Sequence, residues 1–373
     1  MMKICIWMNI PSHHQHFFFE ALNARKDTEL AVRYYDSILL ERRRAQGWIV
    51  PELEPYAAFA GVETIAAPEL RDHIHIIPTF DRDRGERLSA LAVQHGLKWC
   101  HWGEFVGIKL AKMLDFNEFL FSLLNDPLNR IRLHRRIVRI RDHASYALAQ
   151  GKIAADELEA WGIGKEKIRH LSYSVPALPS EPRSAEAEAF IGGRTAFLCV
   201  ATLYKLKGII WLLRAYAGLT AEERSRCCLV FLGGGDAEPY KAFCRSHGIV
   251  DGVCFMGSRS SDQIAGIYNS CDCLVHPTLC DGWGVVLNEA ASVGMPLIST
   301  RACGAAWHLI DEGKNGFRVP IKDPAALRNA MRFYLADGHR IAEHGAESMK
   351  IFSRYTPDIM AERLCGYLGK SIK

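Results

Sequence analysis

Asp281 and Glu289 are two carboxylates with seven residues between them, and Gly282 and Gly284 follow directly on the first. A short apolar run, Cys271 to His276, and a turn, Pro277 to Cys280, precede them; an apolar segment through Val293 and then Gly294-Met295-Pro296 come after. That order predicts a strand, a loop, a helix opened by Gly282-Trp283-Gly284, and a further strand from Leu297. In an open α/β sheet, ligands bind beyond the carboxyl ends of the strands. A helix start offers free backbone N–H groups and a positive dipole end, which suit a phosphate. The glycines leave room for a ligand to approach the backbone closely. Glu289 is placed to accept hydrogen bonds from neutral hydroxyls such as those of a ribose or hexose. A phosphate and a diol held together describe a nucleotide sugar. The same residues also read as an ordinary glycine turn in which Asp281 is only the helix N-cap.

Asp281 to Ala290 resembles the E-x7-E signature of family-4 retaining glycosyltransferases of the GT-B fold, usually seen as EGFGxxxxEA. Gly282, Gly284, Glu289 and Ala290 match it, Trp283 fills the aromatic slot, and Asp281 stands where Glu is usual. The resemblance implies that Glu289 holds the ribose hydroxyls, that Asp281 lies near the transferred sugar, and that Gly282, Trp283, Gly284 and Val285 belong to the donor site. Thr195 to Val200 reads as a buried strand, and the loop Ala201 to Gly208 after it is similar to the family's loop ending in Lys-Gly. There a Lys and an upstream Arg bind the donor diphosphate. Lys207-Gly208 matches; Thr202 stands in the place of the Arg, and Lys205 is the nearest cation, a point charge without the bidentate fork of Arg. Gly233 opens a glycine turn after the strand Cys228 to Leu232 and matches the family's second βα turn. Gly257 ends a strand, from Val253, similar to the one that brackets the nucleotide base. Gly304 and Asp311 to Gly316 resemble the family's G-x-x-x-D-L-I-x-x-G-x-N-G segment, with His308 in the Asp slot. The ordered motifs cover residues 195 to 368; over residues 1 to 180 the similarity rests on element order alone.

The elements that must position these groups begin with a strand candidate, Lys3 to Ile10, broken by Pro11. The loop Ser12-His13-His14-Gln15-His16 follows, then a helix from Phe17 to Ala24. His13, His14 and His16 fall where a doubly wound domain meets ligand, and are candidates for the acceptor side; a polar surface loop with Ser12 as N-cap is the plainer alternative. No Cys or carboxylate partner is evident at a usual zinc spacing, and no metal ligand is assigned anywhere in the chain. Leu30 to Tyr35 and His73 to Ile77 read as strands, Arg84 to His95 as a helix, and Leu97 to Cys100 as a strand leading into a loop at His101-Trp102-Gly103-Glu104. In the family a His from an N-domain loop approaches the donor sugar. The resemblance makes His101 a catalytic candidate together with Asp281 and Glu289, with Glu104 beside the acceptor; a His and a Glu in an ordinary loop is the plainer alternative. From Asp126-Pro127 to His143 the arginines and apolar residues alternate as in a basic amphipathic helix. Residues 128–143 either lay an apolar stripe on their own sheet or make a peripheral contact with anionic membrane.

The chain has 373 residues, 49% apolar and 24% charged, with a formal charge of +4. This is long enough for two domains and ordinary for a soluble protein, and the charge does not suggest a nucleic-acid binder. No run of about 18 apolar residues predicts a transmembrane helix, and the N-terminus lacks a signal-peptide pattern. Twelve irregularly spaced cysteines, several in apolar runs, read as reduced thiols of a cytoplasmic protein. Pro176 to Glu188 is the compositional break expected of a linker. The expected fold is α/β, of GT-B type: two Rossmann-like doubly wound domains facing a cleft. Residues 1–178 would form the acceptor domain and 190–355 the nucleotide-sugar domain, with a helix in 356–373 packing back on the first. The activity this implies is retaining hexosyl transfer from a nucleotide-diphosphate sugar, a substrate and not a cofactor, to a glycan or glycolipid hydroxyl, in cell-envelope polysaccharide, lipopolysaccharide or exopolysaccharide assembly. The setting would be the cytoplasm or the inner face of the membrane. A non-catalytic nucleotide-sugar-binding protein and a GT-B sugar-nucleotide epimerase are the alternatives.

Overall fold

The structure, a computed structural model, describes residues 1–45, 52–78, 84–104 and 127–370. It divides into two compact units: Met1–Val175 with Tyr355–Lys373, and Pro176–Arg354. No helix among the described residues is long and apolar enough to cross a membrane.

The first unit is built on a seven-stranded parallel sheet: β1 (Met2–Met8), β2 (Thr28–Tyr34), β3 (Ala57–Phe59), β4 (Ile74–Ile77), β5 (Trp99–Gly103), β6 (Ala147–Ala149) and β7 (Ile168–His170), in the order β3-β2-β1-β4-β5-β6-β7. Ile4, Cys5, Ile6 and Trp7 are all fully buried. A strand covered on both faces reads as a continuous apolar run instead of an alternation. Ile4 and Ile6 face Phe18, Phe19 and Leu22 of the helix His13–Asn23 and Met360, Leu364 and Leu368 of the helix Pro357–Lys370. Cys5 and Trp7 face the helices Arg84–Gln94, Pro127–His143 and Lys152–Ala160 through Leu88, Ile137, Ile140 and Leu158. The basic helix therefore turns Ile137 and Ile140 onto its own sheet, and its Arg136 pairs with Glu86 at 2.8 Å. The side chains of Arg130 and Arg132 lie outside the described residues, as does Asp126.

Three expectations for this unit are corrected. The first helix begins at His13 instead of Phe17, so the histidine cluster is its first turn; Ser12 sits at the N-cap without a side-chain cap bond. β5 runs on to Gly103, which puts His101 inside a strand. The apolar run Ile168 to Val175 reads in the sequence as one strand, but the strand ends at His170.

The second unit holds a six-stranded parallel sheet: β8 (Thr195–Val200), β9 (Cys227–Leu232), β10 (Val253–Phe255), β11 (Cys273–His276), β12 (Leu297–Thr300) and β13 (Gly316–Val319), in the order β10-β9-β8-β11-β12-β13. Counted from β8, this is the 3-2-1-4-5-6 order of a doubly wound dinucleotide-type fold. Asn315-Gly316 is also a turn signal; the structure has a turn over residues 313–315, and β13 begins directly after it at Gly316. Asn315 is buried, donating to the Leu309 carbonyl at 2.7 Å and accepting from the Asp311 amide at 2.7 Å. A Cβ on Gly316 would run into the carbonyl of Leu297 on the neighbouring strand. The stretch read as linker contains the start of a helix, Ala185–Ile191, capped by the Ser184 hydroxyl.

The twelve cysteines are thiols; ten are buried, and Cys254 and Cys280 are half-buried. Burial pushes the thiols of Cys100 and Cys199 up to about 12.

Candidate donor site

The strand order of the second sheet reverses at β8, with β9 on one side and β11 on the other. Loops leaving the carboxyl ends of β8 and β11 depart to opposite faces of such a sheet and leave a crevice where they part. The β8 loop turns through a short 3-10 segment, Lys205–Lys207, and ends at Gly208 with φ 69°. That left-handed backbone suits glycine. A Cβ there would also strike the carbonyl oxygen of Pro277, the first residue of the β11 loop. The loops are stitched further: the Leu279 amide donates to the Leu206 carbonyl at 2.7 Å, and the Thr278 hydroxyl to the same oxygen at 3.2 Å.

This close packing brings Lys207 to Asp281. Lys207 Nζ stands 2.5 Å from Asp281 Oδ2, and His276 Nε2, from the last residue of β11, stands 3.1 Å from that oxygen. An ionised carboxylate only accepts, so Nε2 of His276 carries the ring proton. His276 is 1% exposed, and its other nitrogen, Nδ1, is buried with no hydrogen-bond partner. Burial alone would raise the Asp281 carboxyl; the His276 hydrogen bond and the Lys207 charge outweigh it and hold the group far below the usual carboxylate range. Lys207 shows the mirror balance: burial lowers it, but the Asp281 carboxylate prevails and the ammonium is raised.

Glu289 lies in the first turn of the helix Val286–Ser292. Its Oε2 accepts from the hydroxyl of the fully buried Tyr268 at 2.6 Å. Burial raises its carboxyl above the ordinary value, and the Tyr268 bond offsets only part of this. The site thus holds two carboxylates driven in opposite directions by their surroundings, a pattern concentrated at functional sites. The loops after β9 and β10 close the same end of the sheet. The Leu203 amide donates to the Gly234 carbonyl at 2.7 Å, and the Gly233 amide to the Gly257 carbonyl at 2.9 Å.

Residues 180–355, which carry all of these groups, match the family model described as Glycosyl transferases group 1. The match takes in just under half of the chain. A D-inositol 3-phosphate glycosyltransferase 2 from Catenulispora acidiphila is 29% identical over 205 residues, 52% of this chain and 48% of that protein. The chain spans about half the length of the curated relatives it matches. Over nearly the whole chain the fold is similar to HepE of Anabaena, solved with UDP (TM-score 0.76, 14% identity, 99% of this chain and 100% of that one). It is also similar to sucrose-phosphate synthase of Thermosynechococcus elongatus (TM-score 0.73, 17% identity, 100% and 99% covered). The architecture is GT-B: two Rossmann-like α/β units with parallel sheets.

Within the matched segment, the structure gathers Lys205, Lys207, Gly233, Gly257, Asp281, Gly282, Gly284 and Val285 on the loops beyond β8 to β11, with Glu289 on the helix that follows. Two details differ from the sequence reading. The helix starts at Val286, with Val285 at its N-cap, so Gly282-Trp283-Gly284 forms a turn ahead of it. Gly284 has φ 89°, and a Cβ there would meet Cys303 Sγ. The Trp283 ring is 1% exposed and donates from Nε1 to Asn288 Oδ1 at 2.8 Å, so the indole is part of the core and not a surface for the donor. Sequence reasoning missed His276 and Tyr268 as partners of the carboxylates. A His ending an apolar strand just before an acidic loop was a usable signal for the first; the second has none, because the contact joins separate helices.

In the first unit, His101 is 1% exposed within β5, and burial lowers its pKa to about 3. It is a buried neutral imidazole, not the loop histidine expected. Glu104 follows β5 and is exposed, as is His14 in the first helix. His16 is half-buried, 3.3 Å from Glu20 Oε1. The side chain of His13 lies outside the described residues.

Proposed function

We propose that the protein transfers a hexosyl group from a nucleoside-diphosphate sugar to a hydroxyl of a glycan or glycolipid, with retention at the anomeric carbon. The observation that carries this reading is the cluster of Lys207, Asp281 and His276 at the switch point of the second sheet, with Glu289 on the helix that follows. The leaving diphosphate needs positive potential aimed at its developing charge. Lys207 supplies it from within the crevice, and Lys205 stands exposed on the same loop. Glu289 keeps one carboxylate oxygen engaged by Tyr268 and has the other to accept from a ribose diol. Asp281 and His276 hold Lys207 in place until a phosphate competes for it. The nucleotide sugar is the substrate, and the reading requires no resident cofactor.

The relatives support the donor class. One is a D-inositol 3-phosphate glycosyltransferase, and HepE has been solved with UDP and with UDP-glucose. A lipopolysaccharide outer core galactosyltransferase, WaaB, shares the fold at TM-score 0.69 and 16% identity, which is in keeping with a role in cell-envelope glycan assembly at the cytoplasmic face of the membrane.

The test is nucleotide release from UDP-, GDP-, ADP- and dTDP-sugars by wild type and Glu289→Ala. Slow release from one donor, lost in the variant, is the expected result. Binding of a donor with no release, even when candidate acceptors are added, would favour a binding protein. No binding of any nucleotide sugar would overturn the reading.

A further inference from the structure

The first helix of the first unit carries His16 and Glu20 one turn apart, on the same face. His16 Nε2 and Glu20 Oε1 are 3.3 Å apart. Glu54, from the segment leading into β3, brings a third donor: one atom from each of the three residues lies within 4.8 Å of the other two. A tetrahedral zinc with bonds of about 2.0–2.2 Å places its donors roughly 3.4 Å apart. The His16–Glu20 pair already has that spacing, and the Glu54 oxygen lies within 4.8 Å of both.

Three further observations favour an ion over a simple His–Glu pair. Among the described residues, neither Glu20 nor Glu54 forms an ion pair with a Lys or Arg. Of the described residues, the basic side chain beside these two carboxylates is the His16 imidazole. The buried hydroxyl of Tyr56 has no hydrogen-bond partner among the described residues. Finally, His16, Glu54 and Tyr56 line a common cavity with Tyr34 and Phe19. Its free volume of about 10 Å³ suits one water-sized particle.

We propose that His16, Glu20 and Glu54 form a binding site for one divalent first-row metal ion, Zn2+ or Mn2+. One imidazole nitrogen and two carboxylate oxygens suit these ions better than Mg2+ or Ca2+, which take all-oxygen sets, and contain no thiolate to draw in softer metals. Three protein ligands leave at least one position for water, with the Tyr56 hydroxyl beside it. This is the arrangement of an open site, in contrast to a closed four-ligand structural one. The sequence hid it because the helix was expected to start only at Phe17. Once it starts at His13, His16 and Glu20 become neighbours on one face.

The test uses the full chain, stripped with a chelator and titrated with Zn2+ by calorimetry, and separately with Co2+ by absorption. Wild type should bind one equivalent, and Glu54→Gln and His16→Gln should each bind at least about 10-fold more weakly while unfolding at the same urea concentration. The cobalt spectrum should lack a thiolate charge-transfer band. Should Glu54→Gln fail to fold, Glu20→Gln gives the same reading. Equal affinity in wild type and variants, a thiolate band, or no binding would each overturn the proposal. The readout is metal binding and not turnover, so it stands or falls apart from the proposed transferase activity.

Discussion

Lys207 and Asp281 form a 2.5 Å ion pair that joins the loop after β8 to the loop after β11. The two side chains are 19% and 17% exposed, which places the pair between the weak surface class and the fully buried class. Neither loop could hold its charged group alone: Lys207 would be partly desolvated without a partner, and Asp281 would keep only His276. The donor's phosphate would enter a site whose cation is already positioned.

Replacing Lys207 by Ala should lower kcat/KM for nucleotide release by about 100-fold, the scale on which single preorganised electrostatic donors act. It should also cost about 1–3 kcal/mol of stability, because a partly buried carboxylate loses a charged partner. Lys207→Arg should recover most of the stability and part of the rate. Steady-state kinetics and urea denaturation of both variants give the answer; unchanged release by Lys207→Ala would remove this residue from the donor site.

Glu289→Gln separates stability from binding. The folded chain holds the Glu289 proton more tightly than the unfolded chain does. This group therefore adds stability below the ordinary Glu range of about 4.3, and that contribution is lost as pH rises through the raised folded value. Gln carries no such proton and can still accept from Tyr268. The variant should gain stability relative to wild type between pH 4 and pH 7, while donor affinity falls about 10- to 100-fold, as for a lost charged hydrogen bond. Parallel urea curves at the two pH values would test the first part, and a flat difference would contradict it.

Acid should destabilise the first unit through its buried histidines. His75 accepts from Trp7 Nε1 at 3.1 Å and is held neutral, its pKa lowered by burial to about 4; His101 is lowered to about 3. A depressed histidine contributes stability that is complete above the unfolded value near 6.5 and is lost as pH falls toward the folded value. His75 alone should account for a loss on the order of 2 kcal/mol by pH 5. His75→Gln, which keeps an acceptor for Trp7, should show a shallower decline from pH 7 to pH 5. Equal slopes would mean that the buried imidazole does not govern the acid limb.

Gly208→Ala should damage the donor site without touching any charged group. The change combines a positive φ with a collision against the Pro277 carbonyl. A stability loss of roughly 1–3 kcal/mol is expected from strain of this kind, with donor affinity falling as Lys207 and Asp281 move apart. Thermal unfolding and donor titration would record both; wild-type behaviour in each would show that the loops need not touch.

The loops of the candidate site were legible because their signals are local. Asp281, Glu289 and the glycines between them, and Lys207-Gly208 after an apolar strand, carry their meaning within a few residues. The partners of those groups were not, since Tyr268 reaches Glu289 across 21 positions. β13 escaped because Asn315-Gly316 has the composition of a turn, while the actual demand on Gly316 is close approach to Leu297. His101 was misjudged by the length of one strand: ending β5 at Cys100 leaves the ring in a loop, and running it to Gly103 buries the ring. Boundaries of this kind depend on tertiary cover, which no short window contains.

Ten of the twelve thiols are shut away in the fold. Of the remaining two, Cys280 immediately precedes Asp281 on the β11 loop, and Cys254 lies in β10. The unaltered chain therefore carries its own reporter position. A thiol-reactive dye would find few places to attach, and one of them adjoins the Lys207–Asp281 pair. Slower labelling at Cys280 on addition of a nucleotide would signal arrival of a ligand before any sugar has moved.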